Sequence, residues 1–369
     1  MEITINRGMK YRIYPTKEQE IQIIKNFGCK RFVFNHFLNL RKIEYKTNKK
    51  TVSYKDMCSI LTDLKKNPDY SWLKEADSNS LQQVLRDLQT AYDRFFKKLG
   101  GYPCFKSKHD HEQKYRTQMT NWNIKVLGNR IQLPKLGAVK IKLSRKVEGK
   151  IKNATISRTV SGKFFVTLCV KQIVEVKSNQ GHEIGIDVGI KHFYSDTNGN
   201  IVENPRLWKR FATKLAREQR KLSRKMKGSG QWEKQRIKVA RIHEKIVNIR
   251  EDFQHKLAFH LAEENQFIAV EKLNIKGMKG NRKLSKAIHD VAWGKFFKKL
   301  EYKTYEHGGK MVKIPTFYPS SQTCNVCGYK NSLVKDLKIR DWECPECHSH
   351  HDRDLNASIN ILNKAKSLV

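Results

Sequence analysis

Cys324 and Cys327 form one Cys-x-x-Cys pair, and Cys344 and Cys347 form a second, with residues 328–343 between them. Each pair offers two thiolates from one tight turn. Two such turns facing each other give the tetrahedral sulfur cage that Zn²⁺ prefers. Four thiolates leave no open position for water, so the ion they predict is structural. The competing reading is a set of exposed redox thiols. It is the weaker, because Cys29, Cys58, Cys104 and Cys169 stand singly among apolar or small neighbours, as reduced core residues do. His348, His350 and His351 could replace a cysteine as ligands, but four thiolates suffice. The paired-histidine centre of single-strand transposases needs an apolar residue between two histidines on a strand, and Ser349 does not supply it.

Seven residues beyond Cys347 comes Asp354, in His351-Asp352-Arg353-Asp354-Leu355-Asn356-Ala357. Two further acids stand where an acid is costly. Asp187 lies within the apolar run Ile184-Gly185-Ile186-Asp187-Val188-Gly189, and Glu271 ends Phe267-Ile268-Ala269-Val270. Glycines on the face of Asp187 would leave room for a polymer backbone. Singly, Glu271 reads as a cap or loop acid and Asp354 as an N-cap. Together they form strand acid, strand acid and helix acid within one α/β segment, a set that persists only with a cation between its members. Oxygen ligands with open positions suit Mg²⁺. Two such ions about 4 Å apart would activate water and stabilise the leaving oxygen of a phosphodiester.

The elements that must carry these residues follow from period. Residues 1–15 alternate as a strand that Pro15 stops, and Thr16 with Gln19 makes a capping box for a helix through Phe27. Gly28 predicts a break before a second helix from Cys29 to Tyr45. Helices are expected over 51–65 and 78–98. The second of these carries the stripe Leu81, Val84, Leu85, Leu88, Tyr92, Phe95 and Phe96. From 122 to 176 the period becomes two, giving five or six short strands and predicting a small barrel or sandwich. The first strand can join it, which makes the helices an insertion. Residues 177–181 read as a linker. Beyond them come the Asp187 strand, the Asn198-Gly199 turn, and two basic helices broken near Gly228-Ser229-Gly230. The Glu271 strand follows, then a loop at 274–286, a helix at 287–306, a strand at 311–314, the cysteine knuckle and a helix from Asn356 to Lys366.

The 369 residues allow two or three domains, and 38% apolar content makes them globular rather than disordered. Charge is the outlier, with 74 Lys and Arg against 36 Asp and Glu, a net of +38. That self-repulsion points to a polyanionic partner. The basic residues run from Arg7 to Lys366, which suits wrapping nucleic acid better than a basic anchoring arm. A solvated basic surface of the ribosomal kind is the plainer reading, and it too implies nucleic acid. Neither a secretory signal nor a long apolar span is present, so the expectation is a soluble, intracellular protein.

The chain resembles the TnpB (OrfB) proteins of bacterial insertion sequences, ancestors of the compact type V CRISPR effectors. The resemblance covers nearly its whole length. It rests on Lys10-Tyr11-Arg12-Ile13-Tyr14-Pro15, on Gly28-Cys29-Lys30-Arg31-Phe32-Val33-Phe34-Asn35 and on Leu81-Gln82-Gln83. It continues through Gly101-Tyr102-Pro103-Cys104-Phe105-Lys106-Ser107-Lys108, Gly185-Ile186-Asp187-Val188-Gly189 and Val270-Glu271-Lys272-Leu273. It closes with Ser320-Ser321-Gln322-Thr323-Cys324 and Asp352-Arg353-Asp354-Leu355-Asn356-Ala357.

The resemblance implies an α/β protein in three parts. A wedge-like β-barrel would occupy 1–15 and 116–180, a helical recognition domain 16–115, and an RNase H-like RuvC nuclease domain 181–369, with a zinc ribbon at 320–350. It implies Asp187, Glu271 and Asp354 as catalytic acids on Mg²⁺. It further implies RNA-guided DNA cleavage in a prokaryotic cytoplasm, with one chain per RNA. A transposon right-end RNA would supply the guide, and the protein would read a short motif beside the double-stranded target. Tyr54, Gln82, Gln83, Thr120 and Asn121 would contact the motif duplex, with Lys106 and Lys108 as further nucleic-acid contacts. The segment between Glu271 and the knuckle would gate the site. A compact type V CRISPR effector is the alternative, since the guide's origin lies outside the protein. An RNA-guided repressor without cleavage, or a binding protein with structural acids, is a further one, against which the three retained acids argue. A transposase of the DDE type would order its acids Asp, Asp, Glu, whereas here they run Asp, Glu, Asp.

Overall fold

A computed structural model describes residues 2–110, 113–176 and 181–369. Residues 177–180 of the expected linker lie outside the described residues. The chain divides into two units, Thr4–Ile173 on one side, and Val174–Val369 together with the N-terminal residues up to Ile3 on the other.

In the first unit, strand β1 (Glu2–Tyr14) is followed by helices α1 (Lys17–Asn48), α2 (Tyr54–Lys66) and α3 (Ser78–Phe96). Strands β2 (Gln113–Gln118), β3 (Lys125–Leu127), β4 (Arg130–Leu133), β5 (Gly137–Lys142), β6 (Lys150–Arg158) and β7 (Phe164–Glu175) then complete a seven-stranded sheet. Its order is β2-β6-β7-β1-β5-β4-β3, so the three helices are inserted in sequence between two strands of one sheet. Thr16 and Gln19 do form the capping box. Gly28, however, does not end the helix, and α1 runs unbroken through it. A mid-helix glycine costs about 1 kcal/mol. Here Phe27 is buried in the sheet core while Cys29, Val33 and Phe34 are buried in the helical core, which outweighs that cost. The stripe on α3 is buried from Leu81 to Tyr92, but Phe96 at its end is 70% exposed.

The second unit contains β8 (His182–Asp187), β9 (His192–Asp196), β10 (Ile201–Glu203), α4 (Leu207–Ser223), α5 (Gly230–Glu264), β11 (Asn265–Glu271), α6 (Ile275–Met278), α7 (Ser285–Val291), α8 (Trp293–Glu306) and β12 (Lys310–Ile314). The small strands β13 (Asp341–Glu343) and β14 (His350–Asp352) and the helix α9 (Arg353–Lys366) follow. The main sheet has the order β10-β9-β8-β11-β12, with β8, β11 and β12 parallel and the β8-β9-β10 meander antiparallel. One face is covered by α5 and α8, whose Ala258, Leu261 and Phe296 join Ile184, Ile186, Ile268 and Val270. On the other face Ile361 and Ala365 of α9 pack on Ala269 and Ile314. The expected loop at 274–286 holds α6 and the start of α7. The expected single helix at 287–306 is divided at Ala292, whose φ is +55°. Gln254 causes the division to hold: its Nε2 donates to the carbonyls of Val291 (2.8 Å) and Ala292 (3.4 Å), giving them a partner outside the helix.

Candidate active site

Alternation along the two central parallel strands decides where the acids point. Ile184 and Ile186 lie beside Ile268 and Val270 in register, and all four enter the α5–α8 core. Gly185, Asp187, Ala269 and Glu271 therefore belong to the opposite face, where α9 lies. Asp354 sits in the first turn of that helix. The N-cap is Asp352, whose Oδ1 accepts from the Leu355 amide (2.8 Å), so Asp354 is free of capping and the helix starts three residues before the expected Asn356. Gly185 has a different role from the one its position suggests. A Cβ there would collide with the Ser358 carbonyl oxygen and reach 2.9 Å from Leu362 Cβ. The glycine admits α9, not a polymer backbone.

Burial and like charge act together on this corner. Burial is the main reason the Asp187 carboxyl titrates well above the usual carboxylate range, and Glu271 and Asp354 push it further, while Arg353 and Arg340 pull it back. As a residue Asp187 is half-buried, so it is not sealed from solvent. Burial also raises Glu271, opposed by Ser320, whose Oγ donates to Glu271 Oε1 at 2.6 Å. Asp354 does have a cation: Arg340 Nη1 donates to both of its oxygens, at 2.9 and 3.1 Å.

The four cysteine sulfurs lie within 4.8 Å of one another, with Cys324–Cys347 and Cys327–Cys344 each at 3.6 Å. Metal–sulfur bonds of about 2.3 Å in a tetrahedron put sulfurs about 3.8 Å apart, so the set fits zinc. Among the described residues no other group of three or more potential ligands is drawn together in this way, the acids included. The two turns repeat one design. Gly328 N donates to Cys324 O (3.0 Å) and His348 N to Cys344 O (2.9 Å), with positive φ at Gly328 (+81°) and His348 (+57°). His351 is not among the four closest ligands. It is 8% exposed, packs tilted at 41° against Trp342 with ring centroids 4.7 Å apart, and sets its Nε2 3.1 Å from Cys324 Sγ.

Side chains of α9 tie this knuckle to the acids. Asn356 Nδ2 donates to Thr323 O (2.8 Å), and Asn360 Nδ2 donates to Thr323 O (2.6 Å) and Ser320 O (2.9 Å). Arg353, 7% exposed, donates to Asp336 O (2.6 Å). Sequence pattern does not expose Arg340, Arg353 or Ser320 as site residues. The Asn356–Asn360 spacing of four on one helix face was the available signal.

The expected nucleic-acid contacts all lie in the first unit and differ in availability. Gln82, Lys106, Lys108, Thr120 and Asn121 are exposed. Tyr54 is half-buried and accepts from Arg86 Nε (3.1 Å). Gln83 is 6% exposed, accepting from Gln118 Nε2 (2.8 Å) and donating to Asp87 (3.3 Å), so it ties α3 to β2. Asn79 Nδ2 donates to Thr120 Oγ1 (3.1 Å), and Asn35 clamps the Lys106 backbone through both of its amide atoms. Trp122, unmarked by any period, stands 75% exposed beside Asn121, both with positive φ.

The chain matches three family models. These are OrfB_IS605, described as "Probable transposase", over residues 166–282; a "Cas12f1-like, TNB domain" over 293–361; and an OrfB_IS605 "Helix-turn-helix domain" over 1–50. The last region is here one strand and one continuous helix. A Streptomyces pristinaespiralis protein named "Putative RNA-guided DNA endonuclease" is 37% identical over 97% of this chain and 89% of its own. The Escherichia coli K12 "Putative RNA-guided DNA endonuclease InsQ" is 30% identical over 96% of this chain and 91% of its own. Among solved structures, a Cas12f1 chain from a complex with sgRNA and target DNA shares the fold. The TM-score is 0.60 at 14% identity, covering 98% of this chain and 99% of that one.

Proposed function

The chain belongs to the TnpB (OrfB) family, and on that premise we propose that it is an RNA-guided DNA endonuclease whose single hydrolytic site is Asp187, Glu271 and Asp354. The observation that carries the site is the under-compensated charge at Asp187, a carboxyl raised by burial and by two neighbouring acids on one face of the sheet. Such a group is stabilised by a divalent cation, and three carboxylates, which offer only oxygen ligands, fit Mg²⁺. When bound, Mg²⁺ would lower the pKa of water and neutralise charge on the phosphate.

The chain's own residues do the rest. Asp187, Glu271 and Asp354 supply the oxygen ligands. Ser320 fixes the Glu271 carboxylate, and Arg340 holds Asp354 until a cation competes for it. A structural Zn²⁺ on Cys324, Cys327, Cys344 and Cys347 keeps Ser320 and α9 in place. In this reading 181–369 is the RuvC-type nuclease domain, the sheet of the first unit is the wedge-like part, and residues 16–115 are the recognition insertion. The partners are a transposon right-end RNA and a matching DNA duplex with an adjacent motif.

The match of residues 293–361 to a Cas12f1-like domain keeps a CRISPR-derived guide as the second reading. Sequencing the RNA that copurifies with the protein tests both. A 3′ end in flanking transposon DNA is expected, spacer sequence would transfer the protein to the second reading, and recovery of no discrete RNA would contradict both.

A further inference from the structure

Phe317 is 91% exposed and has a φ of +71°. It occupies the third position of the turn Pro315–Tyr318, which the Tyr318 amide closes onto Pro315 O at 3.3 Å. Glycine or asparagine is the ordinary choice for a positive φ at that position, and a bulky side chain there is sterically unfavourable. Neither turn chemistry nor packing accounts for the ring. The adjacent Tyr318, by contrast, packs against the core on the α9 face.

The turn itself is tightly held beside the acids. Thr316 Oγ1 donates to Lys272 O (2.8 Å), and Lys272 N donates to Ile314 O (3.2 Å), so the turn is fastened to the residue after Glu271. Three residues beyond Phe317, Ser320 Oγ donates to Glu271 itself. An aromatic ring is thus presented to solvent, on strained backbone, by a segment bonded at one end to Lys272 and at the other to Glu271. Retained strain of this kind marks functional positions.

We propose that Phe317 is a positioning residue that stacks on a base of the nucleic-acid strand entering the Asp187–Glu271–Asp354 site. This rests on the nuclease reading above. A nucleobase is favoured over an apolar protein partner because Lys272, whose backbone fastens the turn, is exposed, in a chain of net charge +38. Aromatic rings beside lysines take bases of any identity, which suits a site that must cut any guided target.

The test uses the protein with its copurified RNA, Mg²⁺, and a DNA duplex matched to the RNA's 3′ end. Phe317→Gly suits the positive φ, so its unfolding temperature should match or exceed wild type. Its single-turnover cleavage should nevertheless fall about tenfold or more, the scale of one lost base stack. Phe317→Trp should restore cleavage to within about twofold. A single abasic position near the scissile phosphate should slow the wild type to the Phe317→Gly rate while leaving that variant unchanged. Wild-type cleavage by Phe317→Gly, or abasic sites that slow both proteins equally, would overturn the inference. Asp187→Ala run alongside separates the two claims. If it still cuts, the site reading has failed; if it is inert while Phe317→Gly cuts normally, only the role of Phe317 is lost.

Discussion

Asp187 shows how a residue can be costly to the fold and yet diagnostic of its use. Its carboxyl is raised by burial and by Glu271 and Asp354, so ionising it in the folded chain opposes stability. The sign is that of a raised acid: stability is full at low pH and declines as pH rises from the ordinary carboxylate range through the raised value. With metal chelated, Asp187→Asn should therefore unfold at a higher temperature than wild type at pH 7, and the difference should vanish in acid. A variant less stable at pH 7 would mean that Arg353 and Arg340 compensate Asp187 more than burial and its neighbouring acids oppose it. Gly185 behaves in the opposite way. Gly185→Ala drives a methyl into the Ser358 carbonyl and should destabilise by about 1–3 kcal/mol or more, as overpacking does. Denaturant titration reads this, and an unchanged midpoint would contradict the packing of α9. The four cysteines were legible in sequence because their pairing is written in local spacing, and Asp187 stood out there as an acid inside an apolar run. Arg340, Arg353 and Ser320 were not, because their partners are carboxylates and carbonyls that only the fold brings near.

Among the elements, the cysteine knuckle is a brace. Its turns hold Thr323 and Ser320 for Asn356 and Asn360, and Ser320 in turn holds Glu271. One zinc per chain is expected by elemental analysis, and Cys324→Ser should lose it together with DNA cleavage while RNA binding persists. A fully folded, active, metal-free preparation would contradict this. The long basic helices α4 and α5 are joined by a polar pin: Glu218, 8% exposed, accepts from Gln235 (2.8 Å) and from Lys221 (3.2 Å). Gln235 is the first cause, and Lys221 the next, that lowers the Glu218 carboxyl to about 2. A depressed acid contributes stability above its unfolded value and loses it as pH falls toward 2. Glu218→Gln should thus lower the unfolding temperature at pH 7, with the gap to wild type closing in acid. Element types were readable from period, but the boundaries erred where tertiary contacts overrode local propensity. At Gly28, burial on both sides carried a helix across a glycine. At Ala292, a distant glutamine stabilised a break that no local residue announces.

Across the whole molecule, 74 basic residues against 36 acidic ones dominate. No helix among the described residues is long and apolar enough to cross a membrane. Binding of the copurified RNA should weaken steeply with salt through counterion release, and a flat response would argue against backbone wrapping. On the proposed reading that charge sets binding and the three acids set hydrolysis, so the two properties should separate cleanly. The most direct test compares wild type and Asp187→Ala, each loaded with the same RNA, on a DNA duplex matched to that RNA with Mg²⁺ present. The wild type should cut and bind, and Asp187→Ala should bind equally well and leave the DNA intact. Mg²⁺-dependent cleavage by the pure Asp187→Ala protein would contradict the assignment of the site.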